Sequence, residues 1–259
     1  MIRRISFRND IQILRGIAVI SVILFHLDKN IFKFGYLGVD IFFVISGFVI
    51  SNLVYSKLAD KTFSLRDFFY MRFRRIVPAL ISYLLFVQII LYFNVDHQNV
   101  IQNTKTSLYS LLFLANVHIS QYLEYFTDDS SKNLVINLWS LSVEEQFYLL
   151  FPFVAIFFSK YTTKKQLILY SLIIFSSFVS MTFIFYDTLS FLEKIFLNYQ
   201  NYLFYSPLTR VWEFILGVFA MFINNLYQEK KLTENFKSFG SILFLFLIAA
   251  IYFDSIYIK

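Results

Sequence analysis

Long apolar runs recur along the whole chain, and they constrain the fold more than any other feature. Each run approaches the ~20 residues that an α-helix needs to cross about 30 Å of hydrocarbon. Backbone inside hydrocarbon must satisfy its own hydrogen bonds, so such runs fold as helices. The sequence therefore predicts an all-α fold, a polytopic transmembrane helix bundle of about seven spans. The predicted spans are residues 11–27, 36–55, 76–93, 138–158, 167–186, 208–224 and 239–256.

The composition supports a membrane protein and narrows its chemistry. Hydrophobic residues make up 58% of the 259 residues, whereas soluble domains average about 45–50% apolar residues. The chain contains no cysteine, which excludes disulfides, thiolate zinc sites and cysteine nucleophiles. We expect no metal cofactor. No small-residue cleavage motif follows the first apolar run, so we expect that run to be a retained span rather than a signal peptide.

The basic residues fall mainly in alternate loops, and this pattern predicts the orientation. The net charge is +6, and lysine and arginine gather in cytoplasmic loops of membrane proteins. This explains the charge better than nucleic-acid binding, and it places the N-terminus in the cytoplasm. The apolar segment at residues 107–117 is only half a span long. We therefore predict a short re-entrant or interfacial helix there, and an interfacial cytoplasmic helix at residues 62–75 that runs into the third span.

Several charged residues lie inside the predicted spans. Each costs roughly 2.5–3.5 kcal/mol on insertion scales, so we expect these side chains to face the bundle interior. The alternative is that they are paired structural ions or reach the membrane interface. The residues are Arg15, His26, Asp40, Glu144, Glu145, Arg210 and Glu213.

Arg15 and His26 share one face of the first span. Eleven residues of helix make about three turns, which separates the two residues by about 16 Å along the axis. Histidine is suited to proton transfer near neutral pH, so His26 is the candidate catalytic base. A carboxylate beside it would orient the ring; Asp40 is predicted near the depth of His26, and Glu144 in the outer half of its span. We favour Glu144 over Glu145 because its helical stripe is the more polar.

Arg72 and Arg75 are three residues apart and share a face just before the third span. Cytoplasmic loop charge alone could explain both residues. Together with Arg15 they could instead form a pocket for an anionic donor at the inner mouth, because guanidinium groups bind phosphate with paired hydrogen bonds.

Five stretches of the sequence together resemble the bacterial integral-membrane acyltransferase-3 family, whose members O-acylate cell-surface sugars. The stretches are LRGIAVISVILFH, GVDIFFVISGFVI, FFYMRFRRIVPAL, LWSLSVEEQFYLLFP and RVWEFILGVFA. The family's motifs fall on Arg15 and His26, on Arg72, Arg75 and Pro78, and on Trp139, Ser140, Leu141, Glu144, Gln146, Phe147 and Tyr148.

The resemblance implies a single membrane-embedded acyltransferase-like domain over residues 1–259, with the family core at about 10–220, in the bacterial inner membrane. It implies an acyl-CoA donor, usually acetyl-CoA, bound from the cytoplasm at Arg15, Arg72 and Arg75. It also implies an acceptor hydroxyl on an extracytoplasmic glycan or lipid-linked glycan. Family members usually have about ten spans, so C-terminal spans are expected to be missing here. The alternative functions are a glycolipid flippase or an inactive paralogue, and the oligomeric state is not predicted.

Overall fold

The computed structural model describes residues 9–28, 31–93, 97–123, 133–185 and 199–228, and the regular elements within these ranges are all helical. The all-α prediction is therefore confirmed. A short 3-10 turn at Gly35–Leu37 leads into the second helix. The α-helices are α1 (Asn9–Leu27), α2 (Gly38–Ala59), α3 (Leu65–Tyr92), α4 (His97–Leu111), α5 (Ala115–Ser120), α6 (Leu138–Phe158), α7 (Thr163–Phe185), α8 (Tyr199–Tyr205) and α9 (Pro207–Gln228).

Five helices within the described ranges are long and apolar enough to cross a membrane. They are α1, α2 with its preceding turn, α3, α6 and α9 up to residue 226. Helix α7 lies where the fifth span was predicted. The predicted span at 239–256 lies outside the described residues, so the number of seven spans stays a prediction.

Helix α3 is longer than the predicted third span because the aromatic and basic stretch before the span continues the same helix. The hydroxyl of Ser64 accepts a hydrogen bond from the backbone N–H of Asp67 at 3.3 Å, which caps the helix at its start. Pro78 lies inside α3 without ending it. The predicted interfacial segment at 62–75 and the third span therefore form one continuous helix from Leu65.

Helices α2, α6 and α9 run parallel to one another, and α1, α3 and α7 run in the opposite direction. Asp40 contacts Arg210 near the starts of α2 and α9, and Tyr55 packs on Phe222 near their ends. Contacts of α6 with α2 follow the same order along both helices. The end of the bundle at which α2, α6 and α9 begin is called the upper end below. These directions match the alternation that the loop charges predicted.

Two glycines bring α2 and α9 into backbone contact. A Cβ atom on Gly47 would lie 1.9 Å from the carbonyl oxygen of Phe214, and one on Gly217 would lie 2.0 Å from that of Val44. Small residues allow this close approach between helices in membranes, where van der Waals packing replaces the hydrophobic effect as the main attraction. The ring of Phe214 stacks between Phe43 of α2 at 4.5 Å and Phe147 of α6 at 4.3 Å, which adds α6 to the contact.

Helices α4 and α5 form a hairpin that enters the bundle beside α6. Near the upper end, the side chain of Gln88 on α3 donates to Ser107 on α4 at 3.2 Å. At the tip, Phe113 has a positive φ of 55°, and its carbonyl accepts a hydrogen bond from Gln146 of α6 at 2.7 Å. Gln146 is about 12 Å along α6 from Leu138, at 1.5 Å per residue. The half-length segment at 107–117 is therefore re-entrant rather than interfacial.

Candidate active site

Glu144 of α6 faces the bundle interior. Its carboxylate accepts hydrogen bonds from the hydroxyl of Ser46 on α2 and from that of Tyr148, one turn further along α6. Residues four apart share a face of a helix. Glu144 and Tyr148 were predicted to share a polar stripe of α6, and in the structure their side chains are hydrogen-bonded to each other. The catalytic role of Glu144 stays a prediction.

Arg72 of α3 extends across to α6 and meets Tyr148 from the other side. Its guanidinium carbon lies 3.5 Å from the centre of the Tyr148 ring, and its Nη1 atom lies 4.0 Å from Oε1 of Glu145. Tyr148 thus joins the Arg72 guanidinium to the Glu144 carboxylate, and the Glu145 carboxylate lies beside the same guanidinium. Glu145 was predicted to lie on an apolar stripe; the structure turns it toward Arg72.

The Arg72–Glu145 pair is close enough for strong electrostatic attraction but too long for a hydrogen bond. Among the described residues, the Arg72 guanidinium donates no hydrogen bond, and Oε1 of Glu145 receives none. A guanidinium carries five N–H donors. The pair therefore has hydrogen-bonding capacity that a ligand could use.

A cavity of about 480 Å³ opens beside this pair, between α3, α6 and the tip of the hairpin. Its volume falls within the ~300–1,000 Å³ typical of small-molecule sites, and most of its walls are apolar, as such sites usually are. The polar side chains in its lining are Tyr70, Arg72, Glu145, Gln146 and Tyr148; the other lining residues are Phe68, Phe69, Phe73, Ile76, Val77, Leu112, Phe113, Leu114 and Leu149.

The hairpin tip forms one wall of the cavity and is fixed by polar side chains. Gln146 donates to the side chain of Asn116 at 2.9 Å as well as to the carbonyl of Phe113. The backbone N–H of Ala115 donates to the hydroxyl of Ser142 at 3.2 Å. Irregular backbone is tolerated at membrane depth only where protein or water satisfies it. Gln146 and Ser142 provide that satisfaction, so the motif containing Gln146 has a structural role.

A second charged cluster joins α2 to α9. Nη1 of the buried Arg210 lies 3.1 Å from Oδ1 of Asp40 and 3.0 Å from Oε1 of Glu213, and its Nε atom donates to the carbonyl of Phe204 at 3.1 Å. Charges taken out of water are retained where they are paired and hydrogen-bonded. Asp40 thus has a cationic partner that the sequence reasoning did not assign to it, and its role beside His26 stays a prediction.

His26 lies at the upper end of α1 with an exposed side chain. Its Nδ1 atom is 2.8 Å from the carbonyl oxygen of Val22. A carbonyl can only accept, so Nδ1 carries the hydrogen and Nε2 carries the lone pair in the neutral ring. A backbone carbonyl therefore fixes the tautomer that we had expected Glu144 or Asp40 to fix.

The three predicted donor-binding arginines occupy different surroundings. Arg72 lines the cavity, and Arg75 is exposed on α3. Arg15 is half-buried on α1. It lies three residues before Ala18, where α1 packs closely on the start of α2: a Cβ atom added to Gly38 would lie 2.3 Å from the carbonyl oxygen of Ala18. A common anion pocket for the three stays a prediction.

Comparison with known proteins identifies the family. A model of the acyltransferase-3 family, described as an acyltransferase domain, matches residues 8–258. The chain belongs to the acyltransferase-3 family. The motif resemblance is thereby confirmed, and family membership and the apolar helices together make the chain a multi-pass membrane protein. No solved structure matches it.

Curated relatives of this family member include proteins named as O-acetyltransferases. The peptidoglycan O-acetyltransferase OatA of Listeria monocytogenes is 35% identical over 60% of the chain, and the O-acetyltransferase OatA of Staphylococcus aureus is 37% identical over 56% of it. The matched part covers only 25% and 24% of those two proteins. An uncharacterized protein of Haemophilus influenzae is 29% identical over 81% of the chain and 84% of its own length.

Proposed function

We propose that this protein transfers an acyl group, usually acetyl, from cytoplasmic acyl-CoA to a hydroxyl of a cell-surface glycan. The family match and the relatives named as O-acetyltransferases support acyl transfer to a glycan. The structural observation that carries the proposal is a ligand-sized cavity beside a guanidinium–carboxylate pair within a membrane helix bundle. In this proposal the protein lies in the bacterial inner membrane with its N-terminus in the cytoplasm. The upper end of the bundle then faces outward.

In this proposal His26 is the general base. Its Nε2 atom takes the proton of the acceptor hydroxyl, and the hydroxyl oxygen attacks the thioester carbonyl. The new C–O bond forms, the C–S bond breaks, and the proton passes to the departing thiolate, which leaves as free CoA. The Val22 carbonyl holds the ring in the required tautomer. A positioned general base contributes roughly 10²–10⁴ in rate.

Arg15, Arg72 and Arg75 are proposed to bind the donor. Arginine keeps its charge at all physiological pH values and hydrogen-bonds phosphate and carbonyl oxygens through a planar fork. Tyr148 and Glu145 hold the Arg72 guanidinium in place at the cavity. Holding donor and acceptor together supplies rate beyond proton transfer.

The test uses the full chain in membrane vesicles with radiolabelled acetyl-CoA and a glycan acceptor. The wild type is expected to label the acceptor. His26→Ala should abolish labelling while the protein stays in the membrane, and Ile23→Ala, on an exposed face of the same helix, should retain it. Normal labelling by His26→Ala would refute the role of His26. Glycolipid movement without acetyl-CoA consumption would instead favour a flippase.

A further inference from the structure

The lower end of the bundle, opposite the upper end, carries basic side chains beside exposed aromatic rings of α3 and α6. The ring of Phe69 on α3 lies 6.4 Å from that of Phe153 on α6. The two helices run in opposite directions, so about one turn below this contact Arg66 lies at the depth of Phe157. Arg66, Phe153 and Phe157 are all exposed. The two helices therefore share an outer face that is aromatic along its length and cationic at its lower edge.

Two lysines in the turn between α6 and α7 are held against aromatic rings. Nζ of Lys165 lies 4.2 Å from the centre of the Tyr161 ring. Nζ of Lys160 lies 5.9 Å from the centre of the Phe157 ring, which packs edge to face on Tyr161 at 5.8 Å. A cation within about 6 Å of a ring centre is attracted by the ring quadrupole. The buried Gln166 donates a hydrogen bond to the carbonyl of Tyr161 at 2.8 Å, so the turn that carries both lysines is fixed.

These cations have no anionic partner within the part of the chain that the structure describes. Neither Arg66 nor the lysines of the α6–α7 turn form an ion pair there. The sequence contains no Asp or Glu between Glu145 and Asp187, so the only charged side chains of the turn and of the helical segments beside it are lysines. Loop position explains why a membrane protein carries basic residues, but it does not place them on exposed aromatic rings.

We propose that this face binds an anionic phospholipid. The phosphate lies among Arg66, Lys160 and Lys165, and the acyl chains lie against the exposed rings of Phe73 and Phe153. A lipid fits better than a soluble anion, because a soluble anion would leave those rings uncovered. Each lysine or arginine near a membrane surface strengthens binding of an anionic lipid about fivefold. The site uses none of the residues of the proposed reaction and does not rest on the proposed function.

The test measures lipid binding and does not depend on turnover. The full chain is placed in phosphatidylcholine nanodiscs with a trace of phosphatidylglycerol that carries a diazirine in one acyl chain. After photolysis the labelled peptides are mapped by mass spectrometry, and we expect labels on residues 66–73 and 153–161. Unlabelled phosphatidylglycerol in the disc should remove the label, whereas the same amount of zwitterionic phosphatidylethanolamine should not.

Three variants separate a bound lipid from basic residues that only set the orientation of the chain. Lys160→Gln combined with Lys165→Gln should reduce labelling about 25-fold, at about fivefold per charge. Lys105→Gln, at an exposed position of α4, removes a charge far from this face and should leave labelling unchanged. Tyr161→Leu keeps every charge but removes the ring that holds Lys165, and should reduce labelling about two- to fivefold.

The proposal is overturned if labels spread evenly over all lipid-facing helices or if phosphatidylethanolamine competes as well as phosphatidylglycerol. It is also overturned if Lys105→Gln lowers labelling as much as the double variant, or if Tyr161→Leu is labelled like the wild type. Competition by inorganic phosphate or polyglutamate as strong as that by phosphatidylglycerol would identify a soluble anion or an acidic protein segment as the occupant, and would overturn the lipid assignment.

Discussion

The contact between α2 and α9 predicts a large effect of adding a single methyl group. In Gly47→Ala the new Cβ atom would lie 1.9 Å from the carbonyl oxygen of Phe214, about 1.5 Å closer than ordinary van der Waals contact. Both atoms belong to helix backbones, so the helices must separate. Overpacking of this kind costs typically 1–3 kcal/mol. Alanine gains about 1 kcal/mol over glycine in helix propensity, and Gly16→Ala, with nothing within 4 Å of its Cβ position, isolates that gain.

The assay is thermal unfolding of the purified full chain in detergent, with Gly16→Ala as the reference. For chains of 150–250 residues, 1 kcal/mol shifts Tm by about 2–4 °C. Gly47→Ala should therefore unfold about 2–12 °C below Gly16→Ala. Gly217→Ala should behave like Gly47→Ala, and the double variant should cost less than the sum, because one displacement relieves both clashes. Equal Tm values for Gly47→Ala and Gly16→Ala would show that α2 and α9 are not in backbone contact.

Three further predictions concern the cavity and its hairpin. Arg72→Lys should raise KM for the donor roughly tenfold with a smaller change in kcat, because lysine lacks the planar fork that stacks on Tyr148; unchanged KM would contradict the placement of Arg72. Tyr148→Phe keeps the ring but removes the donor to Glu144, so Tm should fall by the equivalent of about 1–3 kcal/mol while donor KM stays near wild type; a raised KM with unchanged Tm would reverse these roles. Gln146→Leu should release the hairpin tip, measured as faster maleimide labelling of Leu114→Cys in this cysteine-free chain; a labelling rate equal to that of the parent would show that Gln146 is not the anchor.

Much of the fold could be predicted because it depends on properties that are local in sequence. Apolar runs of span length fold as helices because hydrocarbon offers no other hydrogen-bond partners to the backbone. The alternation of basic residues between loops then predicts the direction of each helix. The segment at 107–117 was recognisable as too short to cross. The helix predicted at 62–75 does run into the third span, and it begins at Leu65 because Ser64 caps it there.

The site was predicted only in part, for a reason that residue spacing explains. Spacing along one helix placed Glu144 and Tyr148 on one face, since residues four apart share a face, and the two side chains do meet there. Pairing between helices depends on how each helix is rotated and on how far a long side chain extends. Arg72 of α3 therefore reaches Glu145 of α6, and Arg210 of α9 reaches Asp40 of α2, although neither pair is marked by any spacing in the sequence.

The sidedness of acyl transfer tests the central proposal most directly. Acetyl-CoA does not cross membranes unaided, so the donor must enter from the side on which it is supplied. Inside-out vesicles that contain the full chain and a trapped glycan acceptor are supplied with external radiolabelled acetyl-CoA. We predict that label accumulates on the enclosed glycan and that His26→Ala abolishes it. Label appearing only on glycan supplied outside these vesicles, or equal labelling with and without His26, would contradict transfer across the bundle.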